Sequence, residues 1–92
     1  MAQNTILAAA TTAATSSDVT VAAGSSVNIG IFASGADVPA SNCAALYMDT
    51  PGGDLAIHRF NQTYPVVCVT GPGTFRVRRP EGSVAIGAFS ET

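Results

Sequence analysis

Apolar and polar residues alternate along this chain in short runs, and clusters of turn-forming residues cut those runs about every ten positions. Val19, Val21 and Ala23 alternate with Thr20 and Ala22, and Val27, Ile29 and Ile31 alternate with Asn28 and Gly30. A side-chain period of two belongs to a strand with one face buried. The intervening Gly24-Ser25-Ser26 predicts that these two runs form a β-hairpin. Further runs lie at 43–48, 55–60, 64–70, 74–78 and 84–89, separated by Ser34-Gly35-Ala36-Asp37, Thr50-Pro51-Gly52-Gly53, Asn61-Gln62-Thr63, Gly71-Pro72-Gly73 and Pro80-Glu81-Gly82. With Thr5–Ala9 added, the pattern predicts an all-β fold, an antiparallel β-sandwich of about 7–8 short strands, jelly-roll-like or immunoglobulin-like. The cysteine-tryptophan-cysteine signature of a true immunoglobulin domain is missing, because the chain has no tryptophan.

Helix competes with this reading only between Ala8 and Ser17. Alanine favours helix there, but Thr11, Thr12 and Thr15 lose χ1 freedom in one, and an isolated helix of about ten residues is marginal in water. Residues 1–17 therefore read as an N-terminal strand and an Ala/Thr/Ser-rich connection or arm, and residues 18–92 as a single β domain. As an arm, the segment would carry Ala8, Thr11, Thr12 and Thr15 to a neighbouring subunit. As a loop, it stays within its own. At 92 residues the chain makes one domain with a thin core.

Charge narrows the function classes. Only 11 % of residues are charged, against about 25 % in an ordinary soluble domain. Lysine is absent, and the four cations are Arg59, Arg76, Arg78 and Arg79. Arginine is enriched and lysine depleted at protein interfaces, so a lysine-free chain suits a life in contact with other proteins, as well as a surface covered by Ser, Thr, Asn and Gln. A net charge of −2 argues against nucleic acid as a partner, since neutralising phosphates takes spare cations. The uncharged stretch Ala2 to Ser17 is too polar to span a membrane. Met1-Ala2-Gln3-Asn4-Thr5 carries no side-chain cation ahead of the short apolar run, so the expectation is synthesis without export.

Candidate chemistry is sparse, and the chain is expected to be no enzyme and to need no cofactor. Cys43 and Cys68 are too few for a zinc site or a disulfide framework, and each sits in an apolar run, which predicts free thiols buried in the core; one disulfide is the alternative. His58 is the one possible imidazole base, yet no serine stands in a Gly-x-Ser-x-Gly elbow. Asp49 and Asp54 flank a Pro-Gly-Gly turn and fall short of the six to eight oxygens that calcium requires. Gly71-Pro72-Gly73 precedes a strand, whereas a phosphate-binding loop opens a helix. Asn61-Gln62-Thr63 matches a glycosylation sequon, which a chain made without export does not use. Tyr47 and Tyr64 could stack on sugar rings, although both lie in strand-like runs.

The basic strand 74–79 carries the strongest signal. Phe75 and Val77 face one side, while Arg76 and Arg78 face the other about 6.6 Å apart. Two guanidinium forks on one face suit either acidic groups of a partner or cross-strand pairing with the chain's own carboxylates.

At these residues the chain resembles small structural proteins of tailed bacteriophages, some of them capsid cement or decoration proteins. The resemblance runs through Ala13-Ala14-Thr15-Ser16-Ser17-Asp18-Val19-Thr20-Val21, Val27-Asn28-Ile29-Gly30-Ile31-Phe32 and Gly71-Pro72-Gly73-Thr74-Phe75-Arg76-Val77-Arg78-Arg79-Pro80. It covers most of the chain from Thr12 to Phe89. It implies a β fold on the outer surface of a virion, synthesised in the host bacterial cytoplasm, that bridges major capsid protein subunits and assembles with further copies of itself. Neither nucleic acid nor membrane is an expected partner. On this reading Arg76 and Arg78, with Ala8, Thr11, Thr12 and Thr15, are the expected partner-binding residues. The alternative is a glycan-binding or adsorption module of a phage tail or head fibre.

Overall fold

A computed structural model describes residues 3–41 and 43–92. Nine strands form among the described residues: β1 (Gln3–Ala10), β2 (Ala14–Thr15), β3 (Val19–Val21), β4 (Ser26–Ser34), β5 (Ala44–Thr50), β6 (Gly53–Phe60), β7 (Val66–Thr70), β8 (Gly73–Arg79) and β9 (Ala85–Glu91). One sheet has the order β1-β9-β4-β7. The other runs β2-β8-β5-β6, with β3 also on β8. All named strand pairs are antiparallel, and the described residues contain no helix. The expected β-sandwich is therefore present, with the segment 8–17 contributing the end of β1 and the short β2.

The two sheets close on a core that the period-two pattern marks out. Ile29 and Ile31 point inward from β4, Ile86 and Ala88 from β9, Leu46 from β5, Phe60 from β6, and Phe75 and Val77 from β8; each is at least 95 % buried. Covering apolar surface at about 25 cal/mol per Å² is the principal force holding the sheets face to face.

Two expectations are corrected. The runs 19–23 and 27–31 do not form a hairpin, because β3 pairs with β8 in one sheet while β4 pairs with β7 and β9 in the other. The turn at Ala22–Ser25, closed by Ser25 N–H donating to the Ala22 carbonyl at 3.1 Å, carries the chain across the sandwich. This lets Val21 and Ile29 bury their side chains from opposite layers. Cys68, expected in the core, is exposed. In β7 the residues alternating with it, Val67 and Val69, take the inward side, so the period of two turns Cys68 out.

The edge of β8 shows how a polar residue replaces a ladder bond. β2 and β3 cover successive halves of that edge, Ala14 and Thr15 opposite Arg79 and Arg78, and Val19 to Val21 opposite Phe75 to Gly73. At the break, buried Ser16 donates its N–H to the Val77 carbonyl at 2.8 Å and accepts the Val77 N–H on Oγ at 2.9 Å. No buried side-chain polar atom among the described residues lacks a partner, as native interiors require.

Candidate functional site

β8 lies between β2/β3 and β5, and its outward residues meet the aspartates of the neighbouring elements. Arg76 and Arg78 do face away from Phe75 and Val77, as the alternation predicts. Their partners lie within the chain. Arg76 Nε donates to Asp18 at 3.0 Å; Arg76 Nη1 donates to Asp54, and Nη2 stands 3.8 Å from Asp49. Arg78 Nη2 donates to the second Asp54 oxygen. The hydrogen bond to Asp18 holds the Arg76 guanidinium above its ordinary pKa; burial opposes this, and the charges of Asp18, Asp54 and Asp49 add to it.

The Thr50–Gly53 turn explains how Asp49 and Asp54 arrive there together. It reverses β5 into β6 as predicted, with Gly53 at φ +108°, a conformation that favours glycine. Asp49 and Asp54 are directly opposed across the hairpin, a repulsive pairing on its own. Arg76 relieves it. The two aspartates are thus ion-pair partners of arginine.

Arg78 differs from Arg76 in exposure. Its side chain is 47 % exposed against 16 %, and its guanidinium stacks on Tyr47 with the carbon 4.6 Å from the ring centroid. Arg59, exposed on β6, completes a shallow groove of about 290 Å³ with Ala45, Tyr47 and Arg78. The groove presents guanidinium forks beside an aromatic wall, which suits a carboxylate. Sequence reasoning passed over Arg59, whose neighbourhood forms only when β6 folds back on β5.

Arg79 was also missed, although it follows the inward alternation of Phe75 and Val77. It is 95 % buried at the end of the sandwich. Its Nε donates to the Thr12 carbonyl at 2.6 Å and its Nη1 to the carbonyls of Ala8 and Ile86 at 2.7 and 2.8 Å. One fork therefore fastens the end of β1, the β1–β2 connection and the start of β9.

These bonds also place the arm candidates. Ala8 lies in β1, which pairs with β9; the Thr11 carbonyl accepts the Gly82 N–H at 2.9 Å, and Thr15 is paired opposite Arg78. The segment is tied to its own subunit as a connection. The side chains of Thr11, Thr12 and Thr15 remain exposed.

His58 is half-buried, edge-on to Phe60 with ring centroids 4.8 Å apart. Its Nε2 is 3.3 Å from the Tyr64 carbonyl oxygen, to which the Nε2–H tautomer would donate. Asn61 Oδ1 accepts the N–H groups of Thr63 and Tyr64, fixing the turn after β6. Among the described residues, no group of three or more His, Cys, Asp or Glu side chains is arranged to hold a metal ion.

The cysteines are unpaired. Cys43 packs against the core and burial pushes its thiol up from the ordinary value, partly offset by a hydrogen bond to backbone. Thiolate is the reactive form. Iodoacetamide at pH 8 is accordingly expected to label Cys68 first and Cys43 much more slowly, with both labelled in denaturant. Equal native rates, followed by mass spectrometry, would show that the start of β5 opens to solvent.

Comparison of the chain with family models and with curated proteins, and of its fold with solved structures, returns no match.

Proposed function

We propose that the chain is a non-enzymatic virion structural protein, a cement protein that binds the outer surface of a tailed-phage capsid and stabilises contacts between major capsid subunits. The observation that carries this reading is the distribution of charge and apolar surface. Arg76 and Arg79 are spent inside the subunit. What faces out is a sparsely charged surface of β6, β7 and the connection between them, on which Leu55, Ile57, Tyr64 and Val66 are 53, 41, 61 and 47 % exposed. Such a surface suits a protein neighbour, whose contact removes apolar area from water. Of the paired arginines, Arg78 is the one with a solvent-facing fork for an acidic group of that neighbour, and Arg59 stands beside it in the groove.

A cement protein binds the assembled lattice and leaves the unfolded subunits alone, so mass action makes the particle more stable in its presence. Genome retention on heating, with and without the protein, tests that requirement. The exposed Tyr64 ring supports the second reading, a glycan-binding adsorption module, which requires the isolated protein to bind sugars and leaves particle stability unaltered.

A further inference from the structure

β6 ends its sheet, and three of the devices that keep another strand from pairing with an edge are missing from it. Natural edge strands are commonly blunted by lysine, by proline or by being very short. β6 has eight residues, Gly-Asp-Leu-Ala-Ile-His-Arg-Phe, with neither lysine nor proline. It leaves Leu55 and Ile57 exposed.

The β5–β6 ladder contains one irregularity. Leu46 pairs with His58 and Tyr47 with Ala56, leaving Ile57 as an extra residue. A bulge of this kind shifts the alternation by one. Asp54 and Arg59 are an odd number of positions apart in the chain and would otherwise point to opposite faces. With the bulge they stand opposite Asp49 and Ala45, which share one face of β5, so Asp54 and Arg59 share the outer face of β6.

We propose that β6 pairs antiparallel with β6 of a second copy of this chain, about a two-fold axis between Ala56 and Ile57. In that register Asp54 stands opposite Arg59 of the other copy, twice over; Leu55 stands opposite its His58, and Ala56 opposite its Ile57. A two-fold axis perpendicular to the sheet keeps outer faces on the same side, so the bulge is what makes the charges meet.

Charge complementarity singles out a second copy as the occupant. Asp18, Asp49 and Asp54 gather around only Arg76 and Arg78, leaving the cluster one negative charge in excess. Arg59 is the arginine among the described residues with neither a carboxylate nor a carbonyl partner. The two-fold pairing delivers one Arg59 to each cluster and equalises carboxylates and guanidiniums. It also covers Leu55 and Ile57 and extends the five-stranded sheet across the dimer.

The proposal is tested on the isolated protein, without capsids; in the dimer Leu55, Ile57 and Arg59 belong to the two-fold contact, and Tyr64, Val66 and Arg78 remain exposed for a capsid neighbour. Sedimentation equilibrium should show a reversible dimer whose dissociation constant rises about tenfold between low and high salt, as two ion pairs, each between an exposed Arg59 and the largely buried Asp54 that already accepts from Arg76 and Arg78, require. Arg59→Glu places like charges opposite at both ends and should weaken the dimer about a hundredfold while leaving the circular dichroism spectrum and melting temperature of the monomer unchanged. Arg59→Gln should fall between. A wild-type chain that stays monomeric at millimolar concentration overturns the proposal. So does a dimer indifferent to Arg59→Glu, or one captured quantitatively by a Cys68–Cys68 disulfide, because that bond belongs to pairing through β7.

Discussion

Replacing Arg79 by alanine is expected to cost about 3–5 kcal/mol, since hydrogen bonds to a charged group are each worth roughly 1.5–3 kcal/mol and the three carbonyls it serves would lose their donor. The side chain is 95 % buried, so water cannot replace the fork without opening the end of the sandwich. For a domain of this size the melting temperature should fall by about 15–25 °C. Arg79→Lys keeps the charge and loses the planar fork that spans Ala8, Thr12 and Ile86, so it should recover only part of the loss. Thermal unfolding followed by circular dichroism distinguishes these outcomes. A melting temperature within about 3 °C of wild type in the alanine variant would mean that the three segments hold together without the guanidinium.

The second large effect is expected at Gly87. On the outer face of the four-stranded sheet, Gly30 pairs with Phe89 and Gly87 with Phe32, and each ring lies over the glycine opposite. The two rings lean on one another with centroids 6.5 Å apart. A Cβ at Gly87 would come within 2.4 Å of the Phe32 ring and 2.8 Å of the Leu7 carbonyl oxygen; one at Gly30 meets only side chains, Phe89 and Val66, at 2.6 and 2.8 Å. Side chains can yield, whereas the Leu7 carbonyl is held by the neighbouring strand. Gly87→Val should therefore destabilise the fold by about 3 kcal/mol or more, and Gly30→Ala by about 1 kcal/mol. Chemical denaturation measures both, and equal losses would contradict the distinction between yielding ring and fixed backbone.

Much of this architecture was legible because the period of two is local. The inward Phe75 and Val77, the outward Arg76 and Arg78, and the β5–β6 turn at Pro51-Gly52-Gly53 all follow from neighbouring residues. Arg79 and Cys68 obey the same period, and the composition of their surroundings obscured it: an arginine beside Pro80 suggests the surface, and a cysteine among valines suggests the core. Partner choice is not local. Val19–Val21 and Val27–Ile31 carry identical alternation, and only their distant pairings with β8, β7 and β9 decide that they belong to different sheets. The intrachain carboxylates of Arg76 were illegible for a related reason, since Asp18 and Asp54 lie 58 and 22 positions away. The bulge at Ile57 breaks the period itself, which is why the shared face of Asp54 and Arg59 emerges only from the paired strands.

The central claim is that the chain stabilises an assembled capsid by binding its surface. It is tested most directly by heating purified particles, with the protein present and with it removed, and recording the temperature at which the genome becomes accessible to nuclease. Particles lacking the protein are expected to release their genome at lower temperature. Adding the protein back should restore retention in a concentration-dependent manner, following the logarithm of concentration over dissociation constant. Identical release temperatures with and without bound protein would contradict the claim.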